Sequence, residues 1–194
     1  LRGHHRDILP MNSSLVVTER LTPPAWESIG WAGREVVGDM AHSYFYMQRT
    51  ADDRIAIGGR GVPYRFGSRV DTDGDTAAST VRQLRALLGD LFPVLRDVSI
   101  VHAWSGVLGV PRDWSASVGF DRRTGLGWAG GYVGTGVTST NLAACTLVDL
   151  MLGTDSELTH LPWVNHAAKR WEVEPLRWLA VRGLYAAYRF ADRR

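Results

Sequence analysis

Apolar and polar positions along the chain predict strands arranged in hairpins, with helices between and after them. Residues 43–48 alternate, which places Tyr44 and Tyr46 on one face of a strand and Phe45 and Met47 on the other. Residues 55–60 follow a turn at 51–54 and form the predicted partner strand. A helix is predicted over 75–88, because Ala78, Val81, Leu84, Leu87 and Leu88 recur at helical spacing.

The other strands and helices are predicted from the same strand-like and helix-like spacings of apolar residues. Further strands are predicted over 15–18, 98–104, 117–120 and 127–133, and further helices over 25–29, 137–152, 164–171 and 176–190. Because the strands come in hairpins and do not alternate with helices, the sequence predicts an α+β fold. We expect a mostly antiparallel or mixed sheet with flanking helices and a C-terminal helical tail.

A glycine-rich turn joins the last predicted strand to the helix over 137–152. Gly130, Gly131, Gly134 and Gly136 allow tight turns and close approach of a ligand to the backbone. The N-terminus of the helix adds unpaired N–H groups and a positive dipole end, which together suit an electron-rich or anionic group. No strand ending in an acidic residue follows the helix, which argues against a dinucleotide fingerprint. From the pattern alone, a structural turn remains an alternative.

Composition narrows the functional class only slightly. The 194 residues are 45% hydrophobic and 22% charged with a net charge of +2, which is ordinary for a globular protein and gives no sign of a nucleic-acid partner. The single cysteine, Cys145, excludes an intramolecular disulfide, is expected to be buried, and fits a reducing, cytoplasmic location. No segment is long and apolar enough to span a membrane. The six histidines are scattered, so no metal site is predicted.

Three motifs carry a family resemblance, and they occur in the order that the family has. They are Arg-Thr-Ala-Asp-Asp-Arg-Ile-Ala-Ile-Gly-Gly-Arg over 49–60, His-Ala-Trp-Ser-Gly over 102–106, and Gly-Tyr-Val-Gly-Thr-Gly-Val-Thr over 131–138. From residue 1 to about residue 153, the chain resembles the C-terminal half of the flavin-dependent amine and amino-acid oxidases. This group belongs to the D-amino acid oxidase superfamily and includes glycine, sarcosine and gamma-glutamylputrescine oxidases.

The resemblance implies an oxidoreductase that binds FAD noncovalently and oxidises the C–N bond of a small amine or amino acid to an imine, with oxygen as the expected acceptor. It implies a substrate-binding domain over 1–120, the last strand and helix of the flavin domain over 121–153, and a helical extension over 154–194. The N-terminal Rossmann half that holds most of the cofactor in such enzymes has no counterpart here. We therefore expect this chain alone to bind no flavin and to be inactive. The alternative is a non-catalytic binding module that keeps the fold without flavin.

The resemblance also implies the cofactor-contacting residues. They are Gly131, Tyr132, Gly134, Thr135, Gly136, Val137 and Thr138, with the amides of residues 137–139 facing the pyrimidine end of the flavin. Thr138 stands where sarcosine-type members carry a lysine that holds a substrate carboxylate, which favours a polyamine-like or other amine. The resemblance identifies no catalytic residue.

Substrate contacts are predicted at Tyr44, Tyr46, Arg60 and Trp104. Each has a structural alternative: core packing for the two tyrosines, an ordinary ion pair for Arg60, and a buried structural role for Trp104.

The tail helix presents Leu176, Leu179, Ala180, Leu184, Ala187 and Tyr188 for one face, with arginines beside them. We expect this face to dock on the chain's own domain. A membrane-surface or partner-binding helix is the alternative, and membrane association is not expected.

Overall fold

The computed structural model describes residues 4–59, 64–71 and 73–192. The strands are β1 (Ile8–Thr18), β2 (Val36–Gly38), β3 (Phe45–Arg49), β4 (Ile55–Gly59), β5 (Ile100–Pro111), β6 (Ser117–Asp121) and β7 (Leu126–Gly130). The helices are α1 (Pro23–Ile29), α2 (Ala78–Leu91), α3 (Gly136–Leu152) and α4 (Leu176–Ala191), with short 3₁₀ turns between them. Five strands form a sheet in the order β2-β3-β4-β1-β5, and β6 pairs with β7. The α+β prediction is confirmed.

The described residues divide into two compact units. Residues 4–11, 66–68 and 108–177 form the unit that we call the glycine-turn unit. The remaining described residues, which include β2, β3, β4, α1, α2 and most of α4, form the sheet unit. Strands β1 and β5 each contribute residues to both units.

The core of the sheet unit lies between the sheet and helices α1 and α2. Strand β3 alternates as predicted, because Phe45 and Met47 are buried while Tyr46 is half-buried and Tyr44 is exposed. Leu84 and Leu88, one turn apart on α2, are fully buried in the same core. The buried members of this core are Val16, Leu21, Trp26, Phe45, Met47, Ile55, Ile57, Leu84, Leu88, Leu95 and Val98.

The turn between β3 and β4 is held by charge as well as by backbone geometry. Asp53 takes a left-handed conformation with φ of 62°. Its carboxylate accepts a bond of 2.6 Å from the guanidinium of Arg49, which also lies 4.1 Å from the ring centroid of Trp26. These contacts fix the register in which Tyr46 lies opposite Gly58.

Several strand bounds differ from the prediction. Strand β5 runs to Pro111, beyond the predicted end at residue 104, and β7 ends at Gly130, before the predicted end at residue 133. Strand β1 begins at Ile8, seven residues before the predicted start at residue 15, because Asn12, Ser13 and Ser14 interrupt the apolar pattern. Asn12 is nevertheless buried, since its amide bonds the carbonyl of Arg69 and accepts from the N–H of Asp71. The three-residue strand β2 was not predicted.

The helix predicted over 164–171 is wrong. This segment runs beside β6: the N–H of Val118 bonds the carbonyl of Trp163 at 3.0 Å, and the N–H of Asn165 bonds the carbonyl of Val118 at 2.8 Å. Asn165 also has a left-handed φ of 54°, which interrupts any helix. Backbone groups that a helix would satisfy internally are therefore satisfied by the edge of the β6–β7 hairpin.

The inward face of α4 shares Tyr188 with the predicted face, but the other predicted residues are exposed. Val181 is buried and Tyr185 and Tyr188 are half-buried, whereas Leu179 and Leu184 are exposed. The inward residues are spaced by three and four positions, so they line one stripe of the helix. Within the described residues, no helix combines the length and the apolar character needed to cross a bilayer.

Candidate functional site

The glycine turn connects β7 to α3 within the glycine-turn unit. Strand β7 ends at Gly130, α3 begins at Gly136, and the β6–β7 hairpin packs against α3 through buried Val118 and Ala143. The turn is therefore held at both ends by regular structure.

Three of the four turn positions from 131 to 134 have positive φ and shape the backbone. Gly131, Val133 and Gly134 have φ values of 76°, 49° and 100°. Val133 is β-branched and seldom adopts this region, so its conformation stores strain that the surrounding structure must offset. A Cβ atom at Gly131 would also lie 2.6 Å from Cγ of Pro111, which makes glycine a structural requirement there.

Gly134 and Gly136 differ from Gly131 because open space lies beside them. No heavy atom lies within 4 Å of the position that a Cβ at Gly134 would take, and at Gly136 the nearest is Cδ2 of Tyr132 at 3.9 Å. A ligand can therefore approach the backbone at these two glycines.

The first turn of α3 leaves its N–H groups available. Thr135, at the N-cap, makes no side-chain capping bond and directs its hydroxyl to the carbonyl of Tyr132 at 2.7 Å. The N–H of Ser139 is already bonded to the carbonyl of Thr135 at 3.0 Å, which corrects the expectation that its amide faces a ligand. Helix geometry leaves the N–H groups of residues 136–138 without an intrahelical acceptor. With the positive helix end, they suit an electron-rich group.

Helix α3 is apolar on most of its surface, yet much of that surface is exposed. Ala143 and Thr146 are its buried residues, and Cys145 is exposed, so the prediction of a buried cysteine is wrong. At helical spacing, residue 145 falls outside the stripe that residues 143 and 146 turn toward the hairpin. The exposed apolar side chains of α3 are Val137, Leu142, Val148, Met151 and Leu152.

Three of the four predicted substrate residues, Tyr44, Tyr46 and Trp104, lie in the sheet unit, on the face of the sheet opposite its core. Because side chains alternate along a strand, burial of Phe45 and Met47 directs Tyr44 and Tyr46 to this non-core face. Their ring centroids are 6.4 Å apart. Trp104 points to the same face, because its neighbour Ala103 packs against the core.

Tyr46 lies flat across the sheet because β4 has a glycine at the paired position. A Cβ atom at Gly58 would lie 2.6 Å from Cζ of Tyr46, so only glycine leaves room for the ring. The Tyr46 hydroxyl then lies 3.4 Å from the hydroxyl of Ser13 on β1. Gly58 was not among the predicted site residues, although the hairpin register was enough to pair it with Tyr46.

Trp104 stacks on His102, with ring centroids 5.5 Å apart and an angle of 24° between the rings. Trp104 is half-buried, so it is not the fully buried structural tryptophan of the alternative interpretation. Arg60 lies outside the described residues. Within the sheet unit, Tyr44 and Tyr46 therefore lie together, and Trp104 lies on the same face of the sheet.

A carboxylate–imidazole pair involves the loop of residues 111–115, which packs against the glycine turn at Gly131. Asp113 bonds the imidazole of His166 at 2.7 Å. Burial opposes ionisation of this carboxyl, but the bonds from His166 and from the N–H of Ser115 outweigh it and lower its pKa. In the described part of the chain, no three His, Cys, Asp or Glu side chains gather into a group that could hold a metal ion.

An open cleft lies at the far end of α3 from the glycine turn. Among its lining residues are none of the predicted site residues, and the lining is part polar and part apolar. Its lining residues are Phe120, Arg122, Asp149, Leu150, Gly153, Thr154, Asp155, Thr159 and Asn165.

Comparison with proteins of known sequence adds independent support for the resemblance. Residues 1–150 match the family model described as FAD dependent oxidoreductase (DAO). The chain is 32% identical over 130 residues to the probable oxidoreductase OrdL of Rhizobium meliloti, covering 65% of this chain and 27% of that protein. It is 26% identical over 157 residues to OrdL of Haemophilus influenzae, covering 81% of this chain and 33% of that protein. The chain thus spans about a third of the length of these relatives.

Solved structures share the fold at low sequence identity. Glycine oxidase from Geobacillus kaustophilus superposes with a TM-score of 0.63 and 20% identity, covering 84% of this chain and 40% of that one. Iminodiacetate oxidase from Chelativorans sp. BNC1 gives a TM-score of 0.62 and 18% identity, covering 84% and 42%. With the family match over residues 1–150, these likenesses show that the chain belongs to the DAO family of FAD-dependent oxidoreductases.

Proposed function

We propose that this chain is part of an FAD-dependent enzyme that oxidises the C–N bond of an amine or amino acid to an imine, with oxygen as the acceptor. The observation that carries the proposal is the glycine turn, whose open glycines and uncapped helix start suit the electron-rich end of a flavin, in a chain of this family. The proposed functional division is a substrate-binding domain over 1–120, the end of the flavin domain over 121–153, and an extension over 154–194.

The flavin would contact the turn through backbone more than through side chains. We assign contacts to Gly131, Tyr132, Gly134, Thr135, Gly136, Val137 and Thr138. The N–H groups at residues 136–138 would stabilise negative charge that gathers on the pyrimidine ring during reduction. FAD, when bound, supplies the acceptor for the hydride equivalent that leaves the substrate carbon. Binding is noncovalent in this proposal, since Cys145 lies within α3 and not in a loop.

Thr138 bears on the choice of substrate. Its hydroxyl donates to the carbonyl of Thr135 at 3.0 Å, and it offers no positive charge to a carboxylate. A lysine at this position in sarcosine-type relatives can make that ion pair. We therefore propose an amine, such as a polyamine, over a simple amino acid, and we expect Thr138→Lys to lower KM for amino acids roughly tenfold relative to amines, the worth of one charge-assisted hydrogen bond.

The non-core face of the sheet unit supplies the proposed substrate contacts. Tyr44, Tyr46 and Trp104 offer aromatic faces and hydroxyl groups to a small amine, and Arg60 is proposed as a further contact. Relatives named glycine oxidase and iminodiacetate oxidase support a small amine or amino acid as substrate. Water would hydrolyse the imine after it forms.

A Rossmann half supplied by a longer polypeptide is the proposed partner of the glycine-turn unit. A helix that is apolar on all sides is ordinarily buried, yet Val137 is 95% exposed and Leu152 is 76% exposed on α3. The relatives' greater length supports a further domain that covers this surface.

The proposal is tested by screening the full-length protein against amines and amino acids for peroxide release and for reduction of an artificial dye. We expect peroxide and an equal amount of carbonyl product with at least one amine. Binding of amines without turnover by the flavin-loaded protein would instead favour the non-catalytic binding module.

The 194-residue chain by itself is proposed to hold no flavin and to be inactive. Mixing it with FAD and desalting should leave no visible flavin spectrum, because the proposed cofactor contacts amount to one turn and one helix end of the described residues. Retention of a stoichiometric flavin spectrum would overturn this part of the proposal.

A further inference from the structure

The last turn of α4 is tethered to the segment that leads into β3. The Asp192 carboxylate accepts bonds from the backbone N–H of His42 at 3.0 Å and from the His42 imidazole at 2.8 Å. It also accepts a longer bond from the N–H of Ser43 at 3.5 Å. The tether ends one residue before Tyr44, so it brings the tail helix to the edge of the proposed substrate surface.

Aromatic rings continue from the tether along the inward stripe of α4. The His42 imidazole stacks on the ring of Tyr188, with centroids 5.0 Å apart and an angle of 19°. Tyr188 in turn meets Tyr185 edge to face at 6.0 Å. Helix α4 therefore contributes two tyrosines next to the segment that carries Tyr44.

Tyr185 extends the inward stripe of α4 beside Tyr188. Burial, with smaller contributions from the phenols of Tyr188 and Tyr44, raises the pKa of Tyr185 to about 12, so its phenol is neutral. The His42–Tyr188–Tyr185 rings and the Tyr44–Tyr46 pair, which starts two residues after His42, together make up what we call the aromatic surface. Its members are His42, Tyr44, Tyr46, Tyr185 and Tyr188.

The aromatic surface is not a completed core. Tyr44 is 57% exposed and the other three tyrosines are half-buried, so ring faces remain accessible in the sheet unit. Aromatic faces attract cations such as alkylammonium groups, most strongly where water is partly excluded. Neutral phenols also supply hydroxyl groups that can orient an amine.

We propose that α4 is a second wall of the substrate site and that Tyr185 and Tyr188 select alkylammonium substrates such as diamines. The inference rests on the proposed function, because Tyr44 belongs to a substrate site only there. It goes beyond the family domain, since the family match ends at residue 150 and α4 begins at Leu176.

The test compares putrescine with its neutral analogue 1,4-butanediol on the full-length, flavin-loaded protein. Calorimetry gives the Kd for each ligand, and steady-state kinetics gives KM and kcat for putrescine. The variants are Tyr188→Leu, Tyr188→Phe, Tyr185→Leu and Asp192→Ala. Phe190→Ala is the matched control, because Phe190 lies on the outward side of the same helix.

We expect Tyr188→Leu and Tyr185→Leu each to weaken putrescine binding roughly tenfold, as removal of a partly desolvated cation–π contact does. Asp192→Ala should also weaken putrescine binding, because it removes the hydrogen bonds that tether the helix carrying both rings to His42. KM should rise by the same factor as Kd with kcat nearly unchanged. Tyr188→Phe keeps the ring and should keep the wild-type Kd within about twofold. Phe190→Ala and the butanediol measurements should show no change, and Tm identifies any variant that is simply unfolded.

The outcomes separate this inference from the proposed function. One outcome is that putrescine is oxidised while neither Tyr185→Leu nor Tyr188→Leu changes KM or Kd. That result would contradict the proposal that α4 is a second wall and would support the proposed oxidase function. If no amine is oxidised but both variants lose putrescine binding, the second wall stands and the function fails. Absence of both binding and turnover of any amine contradicts both.

Discussion

The glycine turn and the aromatic surface are binding surfaces of different kinds. The turn offers backbone N–H groups and empty space beside Gly134 and Gly136, and its side chains are mostly bonded to the turn itself. The aromatic surface offers ring faces drawn from a strand, a loop and a distant helix. A backbone site tolerates side-chain substitutions but not changes in φ. A side-chain site is instead sensitive to substitution of the side chains that form it.

The largest expected effect comes from Gly131→Ala, which perturbs the backbone site at the glycine turn. The change forces a positive φ of 76° on alanine and puts a Cβ 2.6 Å from Pro111. We expect a loss of about 1–3 kcal/mol in unfolding free energy, together with loss of bound flavin from the full-length protein. Denaturant unfolding and flavin content after desalting measure the two effects.

Gly130→Ala is the matched control for that variant. Gly130 is one residue earlier, no heavy atom lies within 4 Å of its added Cβ, and its φ is not positive. It should change flavin content little. Equal flavin loss in both variants would show that the turn geometry is not what holds the cofactor.

A smaller effect is expected from Gly58→Ala, which perturbs the aromatic surface at Tyr46. The added methyl group would lie 2.6 Å from the ring of Tyr46, and the ring can swing away because it is the end of a flexible side chain. We expect a stability loss of about 1 kcal/mol and a several-fold rise in KM for the amine, with flavin content unchanged.

Gly106→Ala serves as the comparison for Gly58→Ala, because it adds a methyl group in β5 where no heavy atom lies within 4 Å. Its KM should remain at the wild-type value. If Gly58→Ala leaves KM unchanged while thermal unfolding confirms a folded protein, Tyr46 is only a packing residue.

The smallest expected effect is a loss of stability at acidic pH that is confined to the β3–β4 turn. Bonds from the Thr50 hydroxyl and then from the Arg54 guanidinium lower the pKa of Asp52 from 3.8 to about 2. Because the folded pKa is depressed, this carboxylate stabilises the turn fully above pH 3.8 and ceases to do so as the pH falls through about 2. Hydrogen exchange at Ile55 and Tyr46 should accelerate over that interval before exchange at the glycine turn does.

Asp52→Asn should remove that local acid dependence, while Asp97→Asn, an exposed aspartate outside the turn, should keep it. Acceleration that persists unchanged in Asp52→Asn would assign the acid sensitivity to another group.

The same contrast explains what the sequence could predict. The glycine turn and the β3–β4 hairpin were predictable because local signals suffice: glycines between a strand and a helix, and alternation on both sides of a turn. The start of β1 was missed because buried Asn12 takes its hydrogen bonds from residues far along the chain. The inward face of α4 was predicted correctly at Tyr188 but wrongly at its leucines, because Tyr188 and a tethering aspartate meet the neighbouring loop.

The central claim is that the glycine turn belongs to the FAD site of an amine-oxidising enzyme, and anaerobic flavin reduction tests it most directly. The full-length protein is purified, loaded with FAD and mixed with amines in the absence of oxygen. We predict that an amine bleaches the visible absorbance of the bound flavin and that admitting oxygen restores it. A protein that retains no FAD, or whose bound FAD is reduced by no amine or amino acid, would contradict the claim.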